Sequence, residues 1–245
     1  MKKFLVLIMI IGISALSLTA DVYIKQALHT DGYYYGGVNS PEENGVNEVW
    51  IGKKKLASLT ENRLVIVDAE KKMAFVVNRG AKTYVESPLP LDLSKIVEDN
   101  LVPMIQPYRY KGTVKETGKT KKIGSRECRE YEINTYVIYQ GDRVNETDTT
   151  VWASTDVPFD LDIYESLTAT QHMLRNFGDS LIEELKKIKG ITIAANGLFY
   201  PKGFGVKSTV KVLEMAEKEA PAGIYSVPEG YTKKEKLSLQ DLRNR

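Results

Sequence analysis

A single cysteine, Cys128, stands in a chain of 245 residues. One thiol excludes an intramolecular disulfide framework and any metal site built on several cysteines. Histidine is almost as scarce. His29 and His172 are the only two, and neither has another His or Cys at the i+4 spacing that sets two ligands on one helix face. No G-x-S-x-G elbow frames a serine. The stretch Gly203-Phe-Gly205-Val-Lys207-Ser208 lacks the adjacent Gly-Lys-Ser/Thr order of a phosphate loop and leads into a β-prone run, so it reads as a hairpin turn. Asp156, Asp160 and Asp162 fall short of the alternate oxygen ligands of a calcium loop and lack its turn glycine. Helix N-capping by Asp160 or Asp162 explains them better. With no catalytic or metal-binding constellation in view, the chain is read as a non-enzyme without a cofactor.

A surplus of one charge is also missing. Lys and Arg number 34 against 32 Asp and Glu, and two of the lysines are Lys2 and Lys3. Without residues 1–20, which hold no acidic residue, the balance is 32 against 32. A neutral chain of this kind argues against binding nucleic acid or an anionic membrane, which calls for clustered basic charge. Only one apolar run is present, Phe4 to Ile13, interrupted by Gly12, and it is about half the roughly 20 residues of a spanning helix. Lys2 and Lys3, this run, and small residues converging on Ala20 compose a secretory signal peptide with cleavage before Asp21. The expectation is therefore an exported, periplasmic chain, or alternatively a secreted one, with no stable transmembrane anchor. Its oligomeric state stays open.

What the chain does have is alternation. Val22–Ala27, Tyr33–Tyr35, Val46–Ile51, Leu56–Leu59, Arg63–Val67, Met73–Val77 and Lys82–Val85 are short β-prone runs separated by polar turns. Their close spacing predicts consecutive antiparallel hairpins, with no room for crossover helices. After Ser87-Pro-Leu-Pro, the residues Leu93, Ile96, Val97, Leu101 and Met104 recur at helical spacing, with Pro103 ending or kinking the helix. Strands resume at Tyr110–Lys115, Thr120–Ile123, Cys128–Tyr139 and Thr147–Ala153. A helical region covers roughly 160–189, with a second helix after Gly178. There Ser180 and Glu183 have capping-box spacing, and Gly190 fits the helix end. Ile191–Tyr200 and Val206–Ala216 close the fold, and the charged tail from Lys233 is expected to be loosely held. The sum is an α+β domain spanning 21–245. It has ten or more antiparallel strands in one large sheet, and about three helices cover the sheet's apolar face.

Aromatic residues concentrate in these strands: Trp50, Phe75, Tyr84, Tyr131 and Trp152, with Tyr33-Tyr34-Tyr35 between glycines. They could line an apolar cavity between sheet and helices or fill that interface completely, because both need the same residue types.

The stretch Glu48-Val-Trp-Ile-Gly52, with Ile66-Val-Asp68, Lys82-Thr-Tyr-Val-Glu86, the run from Glu116 through Gly118, Gly124 and Cys128 to Glu132, and Thr150-Val-Trp-Ala-Ser154, resembles the exported bacterial domain-of-unknown-function family 4412. It is also similar to the wider group with the LolA/LolB-like fold of lipoprotein carriers. That resemblance implies a curved antiparallel half-barrel whose concave side is closed by helices and, in the carriers, accepts acyl chains. The chain is longer than the carriers, and no functional residue is transferred from them. The leading expectation is a periplasmic protein that binds a lipid, a lipoprotein acyl chain or another apolar ligand. Its binding residues would be Ile163, Leu167, Leu174, Leu181 and Leu185 on the helices, with Trp50 and Trp152 opposite. The alternative is a non-catalytic envelope interaction module with a filled core.

Overall fold

The computed structural model describes residues 21–35, 37–159, 161–200 and 205–243, and all their side chains except those of 35, 38, 162, 163, 165–167 and 243. The expected signal segment, Asp160, Gly203 and the side chains of Asp162, Ile163 and Leu167 therefore lie outside the described residues.

The first strands are β1 (Asp21–Thr30), β2 (Tyr33–Tyr35), β3 (Val38–Ser40), β4 (Glu43–Ile51), β5 (Lys55–Leu59), β6 (Arg63–Asp68), β7 (Met73–Asn78) and β8 (Thr83–Pro88). Two four-residue helices, α1 (Leu93–Ile96) and α2 (Val102–Ile105), and a 3-10 turn at Gln106–Tyr108 lead to β9 (Lys111–Ile123), β10 (Arg126–Tyr139) and β11 (Asp142–Ser154). Then come α3 (Leu161–Leu174), α4 (Asp179–Leu185), β12 (Ile191–Tyr200), β13 (Val206–Lys218), β14 (Thr232–Lys233) and α5 (Leu239–Arg243). Twelve strands form one open sheet in the order β14-β8-β7-β6-β5-β4-β1-β13-β12-β11-β10-β9, and β2–β3 form a separate hairpin. Every pairing in the large sheet is antiparallel except β14 with β8. The molecule is thus a sheet-rich α+β fold made of two meanders, β4–β8 and β9–β13, joined through β1.

Period-two alternation builds both faces. Val22, Ile24, Val49, Ile51, Leu56, Val65 and Val67 point one way, into a cluster against which Leu161, Tyr164 and Leu174 of α3 pack. The adjacent cluster of Ala74, Val76, Val85, Leu93, Ile96 and Leu101 continues it beneath α1, with Leu237 from the C-terminal segment. Tyr23, Trp50, Ala57, Leu64, Ile66 and Val77 point the other way, under Ala220, Ile224, Tyr225, Val227 and Tyr231. The expectation of one covered face is corrected here, since the segment after β13 covers the second. That is why Leu64-Val-Ile-Val67 reads as a continuous apolar run.

Several boundaries differ from the sequence expectation, each for a local reason. Tyr110–Lys115 and Thr120–Ile123 are one strand, β9. A ladder irregularity near Gly118, whose φ is +78°, breaks the alternation without ending the strand. Pro103 neither ends nor kinks a helix; it lies in the first turn of α2, where a missing N–H costs nothing. The box expected at Ser180 and Glu183 is not made, because Gly178 is the N-cap of α4 and Ser180 already lies inside it. Among the described residues five short helices stand where about three were expected.

The tail is also corrected: it is anchored. Thr232 and Lys233 pair with Thr83 and Tyr84, and Leu237 is buried against Val97. Ser238 and Asp241 form a reciprocal cap on α5. The Ser238 N–H donates to Asp241 Oδ2 at 2.8 Å, and the Asp241 N–H donates to Ser238 Oγ at 3.3 Å. The buried Asp241 carboxylate also accepts from Asn78 Nδ2 at 2.8 Å and Lys234 Nζ at 2.7 Å. Burial alone would push this carboxyl up, but Lys234, the Ser238 N–H and the Asn78 amide outweigh it and hold Asp241 well below the ordinary carboxylate range. Asp241→Ala is expected to lower unfolding free energy by about 2–3 kcal/mol in urea titrations, since four donors, from Asn78, Lys234 and the Ser238 amide and hydroxyl, lose a charged acceptor. Because the folded-state value is depressed, this contribution is complete above the ordinary value of 3.8 and drains away as pH falls below it. The difference between wild type and Asp241→Ala should shrink in acid.

Candidate apolar binding site

The longest described helix, α3, lies over a floor that is already sealed. Leu161 and Tyr164 pack on the first cluster, Met173 on the second, and Leu174 on both. The floor residues Leu56, Val67 and Val97 have no exposure, yet among the described α3 side chains only Thr170 is buried. Leu161, Tyr164, Met173 and Leu174 keep accessible surface. By contrast, Leu181 of α4 is fully buried. Its Cδ1 sits where Gly112 of β9 has no side chain: a Cβ there would fall 3.0 Å from Leu181 Cδ1 and 2.3 Å from the Asn134 carbonyl oxygen. Glu184 fastens the same helix by accepting the Val114 N–H at 2.8 Å. Thus α4 is locked to the sheet, while α3 rests on it.

The seven residues singled out in the sequence separate into different compartments. Trp152 joins the α3 cluster, with the Lys121 ammonium 3.9 Å from its ring centroid. Leu174 lies over that cluster. Trp50 is on the opposite face of β4 from Val49 and Ile51; it packs on Tyr23 at 4.7 Å between ring centroids, under the segment after β13. Leu185 packs on Val114, Tyr131, Val151 and Ala153, the last two of which flank Trp152 on β11 and point to the other side of the sheet from it. Leu181 is committed to the α4 seat on β9. Of the described side chains, only Trp152 and Leu174 come together. The sequence reading had not singled out Tyr164 and had weighed His172 only as a metal ligand; both are half-buried on α3.

Burial raises the Tyr164 hydroxyl pKa, an effect that Arg175 offsets only in part. His172, in the last turn of α3, stacks on Phe177 at 5.7 Å, and burial with the nearby Arg175 pushes its pKa down to about 4. Cys128 is buried in β10, where burial pushes its thiol up. Neither a protein-family model nor a curated protein matches this chain. Among the described residues, no three His, Cys, Asp or Glu side chains gather as a metal site, and no helix is long and apolar enough to cross a membrane.

A separate cleft of about 520 Å³ lies away from α3, between the start of β9 and that of α4, and is lined by Gln106, Pro107, Arg109, Lys111, Ile138, Gly178, Asp179 and Ser180. None of the seven residues lines it. Arg109 is already engaged there, donating to Asp179 Oδ1 at 3.1 Å and to the Phe177 carbonyl at 3.2 Å.

The chemistry of the α3 site is that of an apolar floor with a half-seated cover carrying two poorly solvated groups. His172 is neutral in the folded protein down to about pH 4, whereas exposed histidine takes a proton near 6.5. Its contribution to folding is therefore complete above 6.5 and lost as pH falls toward 4. NMR titration should give a His172 midpoint near 4. The loss of stability over that interval should flatten in His172→Phe.

Proposed function

We propose that this protein binds an apolar ligand, a lipid or lipoprotein acyl chain, between the sheet and α3. In this reading the open twelve-stranded sheet is a curved half-barrel of the lipoprotein-carrier kind, and α3 is the helix that shifts to admit the chain. The carrying observation is the contrast between the two helices. Leu161, Tyr164, Met173 and Leu174 retain accessible surface over a wholly buried floor, whereas α4 is locked by Leu181 and Glu184. An alkyl chain taking up that surface would gain about 0.8 kcal/mol per buried methylene. The Tyr164 hydroxyl and the unprotonated His172 would add polar contacts beside it without a buried charge. Export by residues 1–20 completes the proposal, since the periplasm holds such ligands, and binding needs no catalytic group.

The two tryptophans allow a direct test because they belong to different clusters, Trp152 to the one beneath α3 and Trp50 to the one under the segment after β13. Trp50→Phe leaves Trp152 as the only indole, and Trp152→Phe leaves Trp50. Brominated fatty acids or phospholipids are expected to quench Trp152 in the first protein and to leave Trp50 in the second unchanged. Native mass spectrometry of periplasmically expressed protein should find a chain starting at Asp21 with co-purifying lipid. Absence of both lipid and Trp152 quenching overturns the proposal in favour of a filled core.

A further inference from the structure

Between β1 and β4 the chain leaves the large sheet to form the β2–β3 hairpin, in which Tyr33 pairs with Ser40 and Tyr34 with Asn39. Tyr34 projects from it and is 70% exposed. The outgoing and returning strands are close at the root. A Cβ on Gly32 would lie 2.7 Å from the Glu42 nitrogen, so only glycine fits there.

His29 sits at this root, opposite Asn44 in the β1–β4 ladder. Its Nδ1 is 2.9 Å from Asn44 Oδ1, and its Nε2 is 3.0 Å from Asp31 Oδ1. Glu42 Oε1 lies 3.8 Å from Nδ1. The orientation of the Asn44 amide is set independently, because its Nδ2 donates to Glu42 Oε1 at 2.8 Å. Turning that amide over would point its oxygen at a carboxylate. Both imidazole nitrogens therefore face acceptors, and only the doubly protonated ring can donate to both. Either neutral tautomer leaves one lone pair against an oxygen.

We propose that His29 is a proton-operated latch at the root of the Tyr33–Ser40 hairpin. In the imidazolium form it ties the outgoing linker at Asp31 and the returning side at Asn44, with Glu42 adding its charge. In the neutral form one of the two hydrogen bonds is lost and the hairpin's attachment loosens. The groups facing the ring are Asn44 and Glu42 on the β4 side, Asp31 on its own side, and Thr209 opposite on β13; Lys207 and Lys211 flank Thr209 on the same strand face. The hydrogen bonds to Asn44 and Asp31, with the charges of Glu42 and Asp31, raise the His29 pKa above its ordinary 6.5 despite partial desolvation. The latch is then closed below 6.5 and opens as pH rises through the shifted value. Its location, on a projecting hairpin with a bare tyrosine, makes the presentation of Tyr34 the quantity that protons control.

The test uses the full exported chain with His172→Gln, so that His29 is the only imidazole, followed by two-dimensional NMR from pH 5 to 9. Hydrogen-exchange protection, corrected for intrinsic rates, is read in parallel for amides 33–40 and for the β1–β13 ladder. The expected result is a His29 midpoint above 6.5. Protection of 33–40 should fall about 2- to 5-fold across that midpoint, the range of one exposed ion-paired hydrogen bond, while the β1–β13 amides hold. In a second variant, His29→Gln, protection of 33–40 should be independent of pH at the lower level. A midpoint at or below 6.5, constant protection of 33–40 through the titration, or the same fall in His29→Gln would overturn the latch.

Discussion

Backbone pairing along both edges of β1 is the constraint on which the architecture rests. One edge bonds β13 from Asp21 to Thr30, with a bulge near Gln26, and the other bonds β4 from Val22 to Thr30. Among the described residues, no other strand pairing connects the two meanders. A strand paired on both sides has no exposed backbone edge, and its faces are covered as well, Val22 and Ile24 on the α3 side and Tyr23 under the segment after β13. Because β1 begins the described chain, its partner β13 must return from near the other end. The two halves therefore associate through contacts almost two hundred residues apart, a non-local closure that slows folding.

Once that seam is fixed, the covers follow from which face each strand offers. The segment after β13 has only the face of Tyr23 and Trp50 left to cover, and Tyr225 fastens it by donating to Asp21 Oδ2 at 2.8 Å, at the start of β1. The helices take the opposite face, and here the seating is unequal. α4 finds a slot cut by Gly112, while α3 spans two clusters and fits neither as closely. A helix held by half-buried contacts is the element that can move at least cost, which is why the candidate site lies beneath it.

Polar anchors mark the places where the chain leaves the sheet. Asp241 ties the C-terminal helix to Asn78 at the end of β7, and His29 ties the hairpin root. Asn176, at φ +60° between α3 and α4, donates to the Ile105 and Tyr108 carbonyls and so fixes the C-terminal end of α3. Each anchor satisfies backbone or side-chain groups that no ladder reaches.

The strands were legible in the sequence because alternation is a local signal: Arg63–Val67 and Met73–Val77 were placed within a residue of β6 and β7. The compartments were not. Trp50 and Trp152 look alike as strand tryptophans and register sets them on the same face, yet Trp50 packs with Tyr23 under the segment after β13 while Trp152 joins the first cluster, and no local pattern carries that difference. Capping shows the same limit from the other side. Ser180 and Glu183 had the right spacing and form no box, because the helix starts at Gly178. Ser238 and Asp241 have that spacing too and do form one, because burial against Val97 and Asn78 holds the tail in place. By itself, the sequence determined the sheet-rich class, most strand positions and the balanced charge, all of which depend on neighbours along the chain. Only the tertiary structure decided which faces meet, which helix is locked and which rests, and that the charged tail is tied down. Those outcomes depend on cross-strand register and on contacts between residues far apart in the sequence.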